Sequence, residues 1–317
     1  MKSFQIPPIT DVVLTKEIRA LKNTKNAVIL AHYYQTSDIQ DVADFVGDSL
    51  GLSQQAAKTD ADIIVFAGVH FMAETAKILN PTKKVVLPDL AASCSLAEGC
   101  HPDDFARFLK LYPDHKVISY VNCSAEIKAM SDVICTSSNA ERIVNSFPKT
   151  QSLIFAPDKN LGHFINQKTK RDMILWDGAC MVHEAFSLEK IINLAKENPD
   201  AKFIAHPEAV SSILEIANFI GSTSGLLKFV QKDSCKKYIV ATESGILHEM
   251  QKKCPEKTFI PAPIEDETCA CSECAYMRLN TLEKIYNCLI NESPQVSLDS
   301  ELISKAKAPI DRMLALS

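Results

Sequence analysis

The chain has 317 residues, 46% of them hydrophobic and 23% charged, ordinary values for a globular protein of two or three compact units. Its formal net charge of −5, without a long basic run, leaves a nucleic-acid or membrane-surface role nothing to rest on. No apolar stretch approaches the ~18 to 20 residues that span a bilayer, and Met1–Pro8 lacks the apolar core of a signal peptide, so a cytoplasmic location is expected.

Residues 11–22 read as an opening helix, with Val12, Val13, Ile18 and Leu21 at helical spacing. Asn26–Ala31 is a short buried strand ending in His32-Tyr33-Tyr34-Gln35. Ser37 or Asp38 can cap the next helix, expected to run through Val42, Phe45, Val46 and Leu50. Ile63–Phe66 is the second strand. A helix through Met72, Ala76 and Leu79 follows it, then the strand Val85–Leu87, with Cys94 just beyond.

The pattern then restarts. A helix over 105–110 leads to the strand Lys116–Asn122, and a helix containing Ala125 and Ala129 leads to the strand Asp132–Cys135. Thr136-Ser137-Ser138-Asn139 opens another helix. Ser152–Ala156 is a strand ending in Pro157-Asp158-Lys159-Asn160, and one more helix and strand reach Cys180. The third pass echoes the second, since Tyr112-Pro113-Asp114-His115-Lys116 parallels Asn198-Pro199-Asp200-Ala201-Lys202. In that echo Asn122 stands against His206, Ser137 against Ser222, and Asp158 against Glu243.

Such repetition speaks for the whole fold. Alternating strands and helices predict an α/β protein of three similar α/β/α repeats with parallel sheets. The expected units are 1–93, 94–180 and 181–281, with the amphipathic stretch 282–317 packing back onto the first. Parallel sheets bind ligands beyond the carboxyl ends of their strands. His32, Tyr34, Tyr120, Asn122, Ser137, His206, Glu208, Ser222 and Thr223 all fall there.

Eleven cysteines are many for a chain in a reducing compartment, where thiol clusters mean metal or redox chemistry. Cys123, Cys135, Cys235, Cys254 and Cys288 stand alone in apolar or helical surroundings and read as packing residues; Cys100 shares a loop with Cys94 and stays open. Cys269-Ala270-Cys271-Ser272-Glu273-Cys274 is different, because three thiols in six residues are too close for ordinary core cysteines. Cys94 and Cys180 also follow strand-like runs; 86 residues separate Cys94 from Cys180, and 94 separate Cys180 from Cys274. One thiolate per repeat suits an iron–sulfur cluster with an open iron position. Two alternatives stand beside it. A structural zinc would need a fourth ligand, with His183 the nearest to Cys180, and Cys269 could form a redox disulfide with Cys271 or Cys274.

Thr136–Asn139 and Ser222–Gly225 stand between a strand and a helix, where N–H groups and hydroxyls hold phosphate or carboxylate, or simply cap. Gly47-Asp48-Ser49 is a weaker instance whose bland reading is a kink inside a helix. His206, Glu208, His32, Tyr34 and Tyr120 are acid–base candidates at equivalent strand ends. Lys159 reads as a loop salt bridge rather than a Schiff base.

Ile29–Gln35, Val65–Ala76, Tyr120–Asn122, Ala156–Asn160, His206–Glu208, Ser222–Gly225 and the C-terminal cysteine motif resemble the quinolinate synthase family, in family order from about residue 26 to 282. The resemblance implies three α/β domains around a pseudo-threefold axis with a central cavity. It implies a [4Fe–4S] cluster held by one cysteine per domain, here Cys94, Cys180 and Cys274. It also implies the condensation of iminoaspartate with dihydroxyacetone phosphate to quinolinate, phosphate and water on the route to NAD, with L-aspartate oxidase as a functional partner. Matching substrate contacts are His32, Ser49, Tyr120, Asn122, Ser137, His206, Glu208 and Thr223. Tyr34 and Glu208 match residues that move protons, and His206 and Tyr120 join them as catalytic candidates. Two departures stand out. One residue separates Cys269 from Cys271 where some relatives have two, and others keep only the last cysteine, which favours Cys274 as ligand. Tyr33 stands where relatives often carry Asn.

Overall fold

The computed structural model describes residues 11–265 and 272–317. It contains three four-stranded sheets, every paired strand parallel. The first holds β1 (Ala27–His32), β2 (Phe45–Gly47), β3 (Ile63–Ala67) and β4 (Lys84–Val86). The second holds β5 (Lys116–Tyr120), β6 (Val133–Cys135), β7 (Leu153–Ala156) and β8 (Ile174–Leu175). The third holds β9 (Lys202–Ala205), β10 (Phe219–Ile220), β11 (Lys237–Ala241) and β12 (Thr258–Pro261).

All three sheets have the same order, the second strand outside the first and then the third and fourth: β2-β1-β3-β4, β6-β5-β7-β8 and β10-β9-β11-β12. Parallel neighbours need a crossover, and helices between the strands supply it. The strands are unbroken apolar runs because both faces of such a sheet are covered; every residue of Ile63–Ala67 and of Leu153–Ala156 is buried. The α/β fold with three similar repeats is as the sequence predicts.

Two expectations are corrected. The helix through Val42, Phe45, Val46 and Leu50 is three elements: the helix Ser37–Val42, strand β2, and the helix Ser49–Lys58. Phe45 and Val46 pair with Leu30 and Ala31 of β1, and that pairing overrides an apolar spacing that a helix would also satisfy. Gly47-Asp48-Ser49 is therefore a strand-to-helix joint rather than a kink, with Asp48 capping the helix by accepting the Gly51 N–H at 3.0 Å.

The second correction concerns the repeat register. Ala31 pairs with Ala67, Ser119 with Ala156, and Ala205 with Ala241, which makes Ala31, Ser119 and Ala205 equivalent. Counting on from them, His32, Tyr120 and His206 are one threefold set, and Tyr34, Asn122 and Glu208 another. The pairs Ala31–Val46, Ser119–Ile134 and Ala205–Ile220 likewise align Ser49, Ser137 and Thr223. Asn122 is thus the counterpart of Glu208 rather than His206, and Ser137 that of Thr223 rather than Ser222. Matching polar residue types misplaced them; the backbone ladder decides.

The helix Leu282–Asn291 packs through Leu282, Ile285, Cys288 and Leu289 against the opening helix Asp11–Thr24 and the first sheet. The last helix, Ser300–Ala315, lies instead against the helices His70–Leu79 and Ala125–Ala129 and strand β6, covering the seam between the first two sheets. Among the described residues no helix is long and apolar enough to cross a membrane.

Candidate active site

One cavity lies at the carboxyl ends of the strands of all three sheets. His32, Tyr34, Ser49, Tyr120, Asn122, Ser137, His206, Glu208 and Thr223 line it, together with Cys94, Cys180 and Cys274. These twelve residues are therefore gathered in one place, while Ser222, also expected at a strand end, caps the helix at Thr223 and is not among those that line the cavity. Ser49 and Thr223 are the first residues of ten-residue helices capped by Asp48 and Ser222. The three helix starts are tied together, since the Ser138 hydroxyl contacts Asp48 Oδ2 at 2.9 Å and Ser222 Oγ at 2.8 Å.

A chain of hydrogen bonds crosses the cavity wall. Tyr34 OH lies 2.9 Å from Thr223 Oγ1 and 2.8 Å from Thr242 Oγ1. Thr242 Oγ1 lies 3.0 Å from His183 Nε2, and His183 Nδ1 is 3.2 Å from Glu208 Oε2. Tyr120 OH donates to Glu208 Oε1 at 2.5 Å. His206 Nε2 lies 3.2 Å from Ser137 Oγ, and its Nδ1 is 3.7 Å from Glu208 Oε1. An unbroken path of titratable groups and hydroxyls thus joins Tyr34 to Tyr120.

Burial pushes the His32 ring down to about 4 and the His206 ring to about 3, so both are neutral near pH 7. Burial, reinforced by the nearby Glu208, raises both Tyr34 and Tyr120 well above the usual phenol range. Burial by itself would raise the Glu208 carboxyl; His183 and the Tyr120 hydroxyl outweigh it and hold the group ionised. Asn122 Oδ1 is buried and has no hydrogen-bond partner within the protein, an acceptor turned to whatever fills the cavity.

The thiols sit alike. Cys94 immediately precedes the one-turn helix Ser95–Glu98, Cys180 precedes Met181–Glu184, and Cys274 is followed by the 3-10 turn Met277–Leu279. Burial pushes the Cys94 thiol up to about 12 and raises Cys180 and Cys274 as well. Backbone N–H groups of Leu96 and Ala97, of His183, and of Tyr276 and Met277 work against that rise and favour thiolates. A cationic centre taking the place of the thiol protons would relieve the cost of burial.

Cys94, Cys180 and Cys274 all border the one cavity, each from a different sheet's strand-end loop. Among the described residues the tight donor group is Cys180, His183 and Glu208, whose ligand atoms lie within 4.8 Å of one another. Cys269 and Cys271 lie outside the described residues. Cys100, Cys123, Cys135, Cys254 and Cys288 are buried in apolar clusters and none of them lines the cavity, while Cys235, expected to pack, is only half-buried, its thiol donating to the Asp200 carbonyl at 3.4 Å. Lys159 pairs with Asp177 at 3.1 Å and Glu184 at 3.6 Å, the loop salt bridge its sequence setting suggests.

Sequence reasoning missed His183 as a link in the chain and missed Thr242 altogether; the only available signal was their adjacency to Cys180 and Glu243. It also missed what holds the Cys274 loop. Glu243, fully buried, accepts the Cys274 N–H at 3.2 Å and the Arg278 guanidinium at 2.9 Å, while Arg278 also donates to the Tyr34 carbonyl at 2.6 Å. Arg278 therefore fixes a thiol loop and a phenol together. Burial raises the Glu243 carboxyl to about 8 even beside Arg278, so Arg278→Leu would leave it to take a proton and lose its charged partner, and an expected loss of about 1 to 3 kcal/mol should appear in the urea unfolding midpoint.

The sequence profile of the quinolinate synthetase A protein family matches residues 16–315. The quinolinate synthase of Microcystis aeruginosa is 64% identical over 300 residues, 95% of this chain and 94% of the relative. That of Synechococcus sp. is 58% identical over 312 residues, 98% of each chain. That of Thermosynechococcus vestitus is 60% identical over 311 residues, 98% of this chain and 97% of the relative. The cavity and its residues are thus those of a chain that belongs to the quinolinate synthetase A family of enzymes.

Proposed function

We propose that this enzyme condenses iminoaspartate with dihydroxyacetone phosphate to give quinolinate, phosphate and two waters, with a [4Fe–4S] cluster held by Cys94, Cys180 and Cys274. The observation that carries the reading is that three thiols from three sheets border one cavity with an acid–base chain. The donor set fits the group, being three thiols on one cavity, each assisted by backbone N–H groups. An iron with a free coordination position is a Lewis acid that draws a substrate oxygen and helps it leave as water.

The residues supply the rest. Hydroxyls of Ser49, Ser137 and Thr223, with the N–H groups of the helix starts at Ser49 and Thr223, hold the phosphate. Neutral His32 and His206 donate hydrogen bonds to the substrate carboxylates, and Asn122 Oδ1 accepts from the nitrogen. Glu208 takes the protons lost as the ring closes, and His183, Thr242 and Tyr34 return them to departing oxygens. Tyr120 steadies Glu208. An imine hydrolyses in water, so L-aspartate oxidase, its source, is the functional partner, and a reducing cytoplasm is the compartment.

Protein purified without oxygen tests the reading by metal and sulfide content, visible spectrum and turnover. About four irons and four sulfides, bleaching in air, with quinolinate formed, are expected. Colourless protein carrying one zinc would overturn it and favour a site at Cys180, His183 and Glu208.

A further inference from the structure

Cys94, Cys180 and Cys274 leave three different sheets, yet a single helical turn, Ser95–Glu98, reaches both of the other thiol loops. Its first residue accepts the N–H of Met181, the residue after Cys180, on Ser95 Oγ at 3.2 Å. Its last residue accepts the Tyr276 hydroxyl, two residues after Cys274, on Glu98 Oε2 at 2.5 Å. The turn is anchored to the first thiol residue, since Glu98 N–H donates to the Cys94 carbonyl at 2.9 Å. All three ligand loops are therefore joined through four residues.

A second cavity adds a reason for the joint. It is lined in part by His70, Glu74, Ser124 and Glu98, and it shares Phe71, Ser93 and Cys94 with the main one. Tyr276 borders the main cavity and Glu98 the second, so their hydrogen bond spans the wall between them.

We propose that Ser95, Glu98 and Tyr276 are positioning residues for the metal centre. They suture the three thiol loops at a fixed separation and close the side approach to Cys94. The inference rests on the reading that these thiols hold a cluster. Hydrogen bonds within the sheets act on the strands, whereas these two act directly between ligand loops. Their loss lets the loops part without unfolding a sheet, so it registers as metal lability.

The test is the rate at which o-phenanthroline strips iron from the anaerobically purified holoenzyme, followed by the colour of the ferrous complex. Tyr276→Phe and Glu98→Ala are each expected to release iron about tenfold faster than wild type, the worth of one hydrogen bond to a charged group. The double variant should be no faster than either single one, since both remove the same bond. Glu98→Gln, which keeps an acceptor, should restore much of the wild-type rate, and the melting temperature should hold throughout. A general loosening would lower the melting temperature and leave the two substitutions additive, which would overturn the suture. So would wild-type release rates in Tyr276→Phe and Glu98→Ala. Wild-type protein without iron would instead overturn the functional reading, and this inference with it.

Discussion

Replacing any one of Cys94, Cys180 or Cys274 by alanine is expected to remove the visible absorption of the purified protein and its turnover together. The three thiols come from three sheets, and none of the remaining described cysteines lines the cavity. Cys100 and Cys123 are buried in one apolar cluster, Cys254 in another and Cys288 in a third. Lewis-acid assistance is worth several kcal/mol, and 1.36 kcal/mol is a factor of ten, so turnover should fall by about a thousandfold or more. Cys269→Ala is expected to keep its cluster. Iron analysis and an absorption spectrum on each variant decide the matter. A Cys94→Ala protein with full iron and turnover would refute the ligand assignment.

Glu208→Gln is expected to lower kcat by about a hundredfold to ten-thousandfold while the iron content stays at the wild-type level. The substitution keeps shape and volume, and the glutamine oxygen can still accept the Tyr120 hydroxyl. What it loses is a carboxylate able to take a proton, in a site where His183 and the Tyr120 hydroxyl favour the ionised form. The same variant separates the two metal readings. If Cys180, His183 and Glu208 held a zinc ion, the glutamine would strip the metal; if three thiols hold a cluster, it leaves the metal untouched. Metal content and turnover measured on one preparation therefore test both the role of Glu208 and the identity of the centre.

Much of this was legible in the residues alone. Long apolar runs such as Ile63–Ala67 can only be strands buried on both faces, and their alternation with helices dictates parallel sheets. Chemistry-bearing residues at the ends of such runs follow from the same logic, because a parallel sheet presents its strand ends to one cavity. Strand β2 was not legible. Three residues carry too little pattern to outweigh a helical spacing, and only pairing with β1 makes Phe45–Gly47 extended. The register of the third repeat was misread for a related reason: side-chain resemblance is a weaker guide than the ladder that aligns Ala31, Ser119 and Ala205.

Local sequence thus determined most of the elements, their parallel arrangement and the placing of candidate residues at strand ends, because periodicity and turn chemistry act over a few residues. Only the tertiary structure decided that Asn122 stands opposite Glu208 in the threefold. It alone made His183 and Thr242 the bridge between Tyr34 and Glu208, and let one helical turn after Cys94 reach both other thiol loops. These contacts join residues tens to hundreds of positions apart, and hydrogen bonds of that range are set by how the three sheets meet at one cavity, which no local pattern encodes.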